Sequence, residues 1–199
     1  WHTKQSIVKS RLENILGKTK NVIYARNCQL KEVSSKDSTE FCRQNHIMGA
    51  GRSNIRVGLY FKGALVSLMT FTNNNISRKL TDTWEINRFA SILGTSVVGA
   101  ASRLFKHFLK LVNPTVVVSY ADNRWSIGNL YKQLGFTVDS LGTPNYWYIL
   151  PNCIARTHRY SLRKTKDDDQ TLTEYENRKV QGYDRVWDCG SSKWIWRGG

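Results

Sequence analysis

Apolar residues recur every three or four positions in "QSIVKSRLENILGKTKN", where Ile7, Val8, Leu12, Ile15 and Leu16 share one helical face and Gly17 supplies a stop. This predicts a basic N-terminal helix. The next stretch, "VIYARNCQLKEVS", has the β-branched, alternating character of a strand. "SKDSTEFCRQNHIMG" opens on Ser and Asp capping residues before a helical spacing that ends near Gly49. Two apolar runs flank "FKGA" in "NIRVGLYFKGALVSLMTFTNNN" and predict a hairpin with an Asn-rich exit. "TWEINRFASIL" reads as a strand in which Glu85 and Arg88 interrupt the apolar pattern; three apart, they fall on opposite faces unless a bulge intervenes. Apolar positions 97, 101, 104, 105, 108 and 112 then mark a helix packed on a sheet. "PTVVVSYAD" is a buried strand, "NRWSIGNLYKQLGF" (123–136) an amphipathic helix, and "FTVDSLGTPNYWYILPN" two more strands about a Gly-Thr-Pro turn. The order β-α-β-β-β-α-β-α-β-β predicts a mixed α/β sheet with helices on both faces.

From "ARTHRY" onward the pattern changes. "RKTKDDDQT" has the composition of a charged linker, "LTEYENRKVQ" is helical in spacing, and "GYDRVWDCGSSKWIW" reads as a hairpin of two aromatic strands. The expected organisation is a basic helix over 1–21, an α/β domain over 22–154 and a basic, aromatic extension over 155–199.

Charge changes this picture most. Thirty Lys and Arg against fifteen Asp and Glu give a formal net charge of +15, far more than solubility requires, so a polyanionic partner is expected. Nucleic acid, DNA in particular, fits better than a membrane, because the cations are interleaved with Trp, Tyr and Asn. Arg124 with Trp125, Asn145 to Tyr148, Arg156 and Arg159, Arg163 and Lys164, and Arg185 with the Trp187–Trp196 stretch are the candidate contacts. Trp194 and Trp196 alternate, so they also suit a small core of their own. A hydrophobic fraction of 40% supports a folded domain. No apolar run approaches the roughly 20 residues that a membrane-spanning helix needs.

Cys28, Cys42, Cys153 and Cys189 form no CxxC pair, which points away from a zinc module or a disulfide framework and toward a reducing compartment. Cys42 and His46 lie four apart on a predicted helix, two ligands without further partners. The chain starts at Trp1, as a fragment or a processed product would.

The strand-to-helix step "ASILGTSVVGAASRLF" is the clearest place for chemistry. Gly94, Thr95, Ser96 and Gly99 allow close backbone approach, and N–H groups opening the helix attract phosphate. Gly99 and Ala100 equally allow a helix to lie close on a sheet. Asp122, ending a buried strand, suits a proton acceptor, a partner that orients Arg124, or a helix cap.

Taken with the element order, "SVVGAA", "TVVVSYAD" and "LYKQLGF" resemble the GNAT acyltransferase family over roughly residues 22 to 150. In that family a Q/R-x-x-G-x-G/A loop holds the pyrophosphate of acetyl-CoA, and a helix ending in LYxKLGF carries a tyrosine acid. The resemblance implies a GNAT-like mixed sheet, an acyl-CoA cofactor at Ser96, Val97, Val98, Gly99, Ala100 and Ala101, and Tyr131 as proton donor to a leaving thiolate. Ser96 stands where the family has Gln or Arg. Arg124 stands where it has an Asn seven residues before the tyrosine, with Asn123 one earlier.

"EINRFAS", "TSVVGAASRLFKHF" and "GYDRVWDCG" are similar to a GNAT-like part of phage homing-endonuclease-like proteins and, more distantly, to Mom-type DNA adenine modification proteins. "IVKSRLENILGKTKNVIYARNCQLKEV" resembles the lead-in of that first group. This likeness implies a DNA-associated transferase in the host cytoplasm that modifies a base or nucleotide. Asp122 or His46 would act as base, and Glu85 and Arg88 would lie in the cleft, Arg88 gripping phosphate or carboxylate. The alternative is a non-catalytic DNA-binding module of a homing-endonuclease-like system.

Overall fold

The computed structural model describes residues 3–73, 83–151, 153 and 155–198. Asn74 and Asn75, in the predicted Asn-rich exit, lie outside them. In chain order the elements are α1 (Gln5–Ile15), β1 (Asn21–Tyr24), β2 (Gln29–Glu32), α2 (Ser35–Asn45), β3 (Ile55–Phe61), β4 (Ala64–Asn73), β5 (Thr83–Ser91) and β6 (Thr95–Val98). They continue as α3 (Ala100–Val112), β7 (Val116–Asp122), α4 (Asn129–Gln133), β8 (Thr137–Leu141), β9 (Tyr146–Ile149), β10 (Thr157–His158), α5 (Glu174–Val180), β11 (Asp184–Trp187) and β12 (Ser191–Arg197). The chain divides into two compact units, one of 1–119, 128–139 and 193–199, the other of 120–127 and 140–192.

A seven-stranded mixed sheet runs in the order β2-β3-β4-β5-β7-β12-β8, while β1 and β6 form a separate parallel pair. Local chemistry places its elements. Ser34 caps α2 by accepting the Asp37 N–H at 3.0 Å. Lys62 and Gly63, both at positive φ, make the tight turn of the β3–β4 hairpin. The apolar stripe of α3 buries Ala100, Ala101, Leu104, Phe105 and Phe108, and Phe108 stacks on Phe71 of β4 at 3.6 Å. Val33, Phe41, Cys42, Leu68 and Ala90 form a second cluster beneath α2.

Two expectations about local structure change. "VIYARNCQLKEVS" is two short strands broken by a 3-10 turn at Ala25–Asn27. The helix expected over 123–136 shrinks to Asn129–Gln133. Asp122 is the reason. Its carboxylate accepts the Arg124 N–H and its carbonyl the N–H groups of Trp125 and Ser126, which folds a turn where a helix would start.

The second unit holds the antiparallel sheet β10-β9-β11 and α5. Thr173 and Glu176 cap α5 reciprocally. The "RKTKDDDQT" stretch is no loose linker: Asp168 makes a buried, two-pronged ion pair with Arg178 and accepts the Thr165 N–H, which holds its carboxyl well below the usual range. The expected aromatic hairpin is divided between sheets. β11 pairs with β9, whereas β12, at the end of the predicted extension, is an interior strand of the seven-stranded sheet. Trp194 is 2% exposed and belongs to the core, and Trp196, half-buried, packs edge-on against Phe105.

Candidate active site

β5 and β7 run parallel but pair only over Thr83–Glu85 and Val116–Val118. Just beyond, β5 is bulged: Phe71 faces Ile86 and Thr70 faces Arg88, leaving Asn87 without a partner in the ladder. The extra residue also puts Glu85 and Arg88 on one face, since they lie opposite Thr72 and Thr70. The strands therefore part after Glu85. At that point Ser119 Oγ donates to the Ile86 carbonyl at 3.1 Å and lies 2.9 Å from the Tyr131 hydroxyl. The Tyr131 ring stacks on Trp194 at 5.8 Å and leans on Phe136.

Burial raises the Tyr131 pKa, and Glu85 adds to this; the Ser119 hydrogen bond and the charge of Arg11 oppose it. Tyr131 thus holds its proton throughout the neutral range, as a donor must. Sequence reading missed Ser119 and Arg11. A lone Ser inside "VVVSYA" was the available signal for the first, while nothing local marks an arginine on a remote helix.

His46 is less suited to its expected part. Burial, with the charges of Arg88, Arg11 and Lys4, lowers its pKa to about 4, and its Nδ1 already accepts the Met48 N–H at 3.1 Å. It is a neutral, weak base. The unfolded chain protonates it from about pH 6.5, the folded chain only near 4, so stability falls as pH drops through that window. Allowing for partial exposure of the ring, the loss is about 1–2 kcal/mol. His46→Gln is expected to flatten urea-unfolding stability between these pH values; an undiminished slope would assign the effect elsewhere.

Arg88 donates from Nε to the Gly49 carbonyl at 2.9 Å and from Nη1 to the backbone and side-chain oxygens of Asn87. These bonds tie the 49–51 loop to the bulge and leave Nη2 as the donor available for a ligand. Burial lowers the Arg88 pKa, with Cys42 and Glu85 opposing. Among the described residues no group of three or more His, Cys, Asp or Glu is placed to hold a metal ion.

Asp122 belongs to the second unit, where the Arg124 guanidinium grips its carboxylate through Nε at 2.9 Å and through Nη2. Of the alternatives for Asp122, the geometry is that of a partner orienting Arg124; the N-cap position of α4 is held by Gly128, without a side-chain cap.

Of the residues singled out for nucleic acid, Trp194 and Trp196 lie in the first unit, whereas Arg124, Trp125, Arg156, Arg159, Arg163, Lys164 and Arg185 lie in the second, where most are engaged. Arg185 is half-buried over the rings of Tyr146, Tyr148 and Tyr175, and Lys164 donates to the carbonyls of Gln170 and Leu172. Arg156, Arg159 and Arg163 are exposed, lying over Trp147, Tyr146 and Tyr160. Trp125 is half-buried in the Asp122 turn. The first unit carries 21 Lys and Arg against 7 Asp and Glu, the second 9 against 8, so +14 of the net +15 belongs to the first.

The β6–α3 junction has its own character. Ser96, Val97 and Val98 are in β6, paired in parallel with β1, and the side chains of Ala100 and Ala101 enter the core. Gly99, at φ +78°, precedes the helix with no side-chain cap on the first-turn N–H groups. Val98 and Gly99 open onto a cleft of about 740 Å³ whose walls include Tyr24, Arg26, Arg103, Lys106 and Lys110, with no acidic residue. The uncapped N–H groups at Gly99 to Ala101 are chemically suited to a pyrophosphate.

No protein-family profile matches the chain, and no curated protein matches it in sequence. Solved structures do. The chain is similar, at 10% identity and a TM-score of 0.53, to the ribosomal-protein-S18-alanine N-acetyltransferase from Escherichia coli, over 85% of this chain and 93% of that one. It is similar to the IAA acetyltransferase from Bacillus cereus (10% identity, TM-score 0.52, 86% and 99% covered). A GNAT family acetyltransferase from Elizabethkingia anophelis, solved with acetyl-CoA bound, matches at 10% identity and a TM-score of 0.50, over 86% and 99%. The chain has the GNAT acetyltransferase fold.

Proposed function

We propose that this protein is a GNAT-like transferase that works on nucleic acid, DNA in the first place, and transfers an acyl group from an acyl-CoA-like donor to a base or nucleotide. The observation that carries the reading is the Tyr131 hydroxyl, kept protonated and supported by Ser119 where β5 and β7 part. The uncapped, acid-free β6–α3 junction fits the donor's phosphates through the N–H groups at Gly99 to Ala101. When bound, an acyl-CoA supplies an activated acyl carbon and a thiolate leaving group. Tyr131 would give its proton to the sulfur as the C–S bond breaks and take up the proton that the acceptor nitrogen releases on bonding to the acyl carbon, with Ser119 holding the phenol oxygen in place.

The surroundings favour an acceptor that arrives uncharged. Arg11, Arg88 and Lys4 make the neighbourhood of His46 electropositive, and His46 is too weak a base to strip an alkylammonium. The exocyclic amine of a base is neutral already. A charge of +14 on the first unit gives the polyanion its attraction. The phage homing-endonuclease-like and Mom-type resemblance belongs to this proposal, as does work in the cytoplasm of an infected host. Among the described residues no helix is long and apolar enough to cross a membrane.

The test is mass spectrometry of nucleosides from DNA incubated with protein and acetyl-CoA, beside calorimetry of acetyl-CoA alone. A base heavier by one acetyl group, together with measurable donor binding, is expected. DNA binding with neither modified base nor heat of donor binding would leave the second reading, a non-catalytic DNA-binding module. That reading draws on the weak His46 base and on the Asp122 carboxylate being occupied by Arg124.

A further inference from the structure

We infer that the cleft between α3 and the β1–β2 segment is the track for a single strand of the nucleic acid, with backbone phosphates on α3 and an unstacked base on Tyr24; this rests on the nucleic-acid reading above. Arg103, Lys106 and Lys110 repeat at three- and four-residue spacing and so form one stripe about 10 Å long. Arg103 donates to the carbonyls of Ala25 and Cys28, which fastens the opposite wall to the helix. Lys106 and Lys110 have no hydrogen-bond or ion-pair partner among the described residues, and His107 beside them has none either. Unpaired cations at the rim of an acid-free cleft are held for an anion from outside.

The facing wall is of a different kind. Tyr24 is 48% exposed, with the Arg26 guanidinium 5.0 Å from its ring centroid. A flat ring backed by a cation offers a stacking surface that only a base outside a duplex can use, and such stacks contribute through the π face of any base. An enzyme acting on a base must take it out of the stack, which gives an unpaired strand beside the site a purpose. The second unit, at +1, has far less to attract a strand.

The experiment is fluorescence anisotropy with a fluorescein-labelled mixed-sequence single-stranded 20-mer and the matching duplex, titrated at several NaCl concentrations. It compares the full chain, the Lys106→Ala/Lys110→Ala double variant, Tyr24→Ala, and Arg156→Ala/Arg159→Ala in the second unit. Acetyl-CoA calorimetry and thermal melting are run on each. The lysine pair is expected to weaken binding at least tenfold and to lower the log–log salt slope by about 1.5. Tyr24→Ala is expected to weaken single-strand binding about 5- to 100-fold and duplex binding much less. The second-unit variant should stay within twofold of the parent, and acetyl-CoA affinity should be unaltered throughout.

Parent protein that binds the strand, with a lysine variant of equal affinity and slope, would overturn the cleft and leave the nucleic-acid reading standing. Acetyl-CoA affinity falling in step with the strand would reassign the cations to the cofactor's phosphates and overturn it too. No binding of either DNA by the parent would remove both.

Discussion

Replacing Tyr131 by Phe is expected to lower the rate of thiol release from acetyl-CoA about 10²- to 10⁴-fold, with the KM for the donor little altered. The change removes one oxygen. The ring contacts with Trp194 and Phe136 remain, so the variant should melt near the parent temperature, and the loss is that of a proton donor. A second readout separates this from a mere packing defect. Burial raises the Tyr131 pKa above its ordinary value of about 10, so the donor stays protonated as pH rises and its loss appears only in the alkaline limb of the parent's profile. In the Phe variant that limb should vanish. A rate within threefold of the parent would remove Tyr131 from the chemistry. Ser119→Ala should show a milder fall, with the alkaline limb moved upward because a hydrogen bond that lowers the pKa is gone.

The largest stability effect is expected at a residue with no side chain. Gly128 has φ of +82°, and a Cβ placed there would lie 1.9 Å from the indole ring of Trp194, itself 2% exposed. Gly128→Ala therefore combines a left-handed backbone strain of about 1–2 kcal/mol with overpacking of about 1–3 kcal/mol. The sum is about 3 kcal/mol, and for a chain of this size the melting temperature should fall by about 10 °C. Gly63→Ala is the matched control. It has nearly the same φ, +83°, but nothing within 4 Å of the added carbon, so it should show the backbone part alone. Pairing Gly128→Ala with Trp194→Phe should recover part of the loss, since the two residues contend for one space. Equal melting temperatures for Gly128→Ala and Gly63→Ala would show that the indole moves aside freely.

This dependence explains how a five-residue helix holds a candidate acid in place. α4 is too short to persist by propensity alone. It stands because Gly128 lets the backbone settle on Trp194, whose strand comes from the far end of the chain. The opening asparagine, arginine and tryptophan of "NRWSIGNLYKQLGF" belong to the Asp122 turn instead, and only "NLYKQ" is helical.

Periodicity and turn chemistry were enough for most of the fold. The α1 stop at Gly17, the β3–β4 hairpin and the buried stripe of α3 are local matters, decided within about ten residues by side-chain spacing and backbone preference. The motif "LYKQLGF" singled out Tyr131 as a candidate, and composition alone raised the expectation of a polyanionic partner. Tertiary structure decided what depends on residues far apart in the chain. The end of the β5–β7 ladder, the extra residue at Asn87 and the support of Ser119 bring Tyr131 and Glu85 to one place. Burial with Arg11, Arg88 and Lys4 takes His46 out of the range of a useful base. Sequence reading placed the nucleic-acid contacts mainly in the aromatic C-terminal region, whereas +14 of the net +15 belongs to the first unit. A one-dimensional pattern records which side chains follow one another; desolvation, strand pairing and summed charge depend on distances that only the folded chain defines.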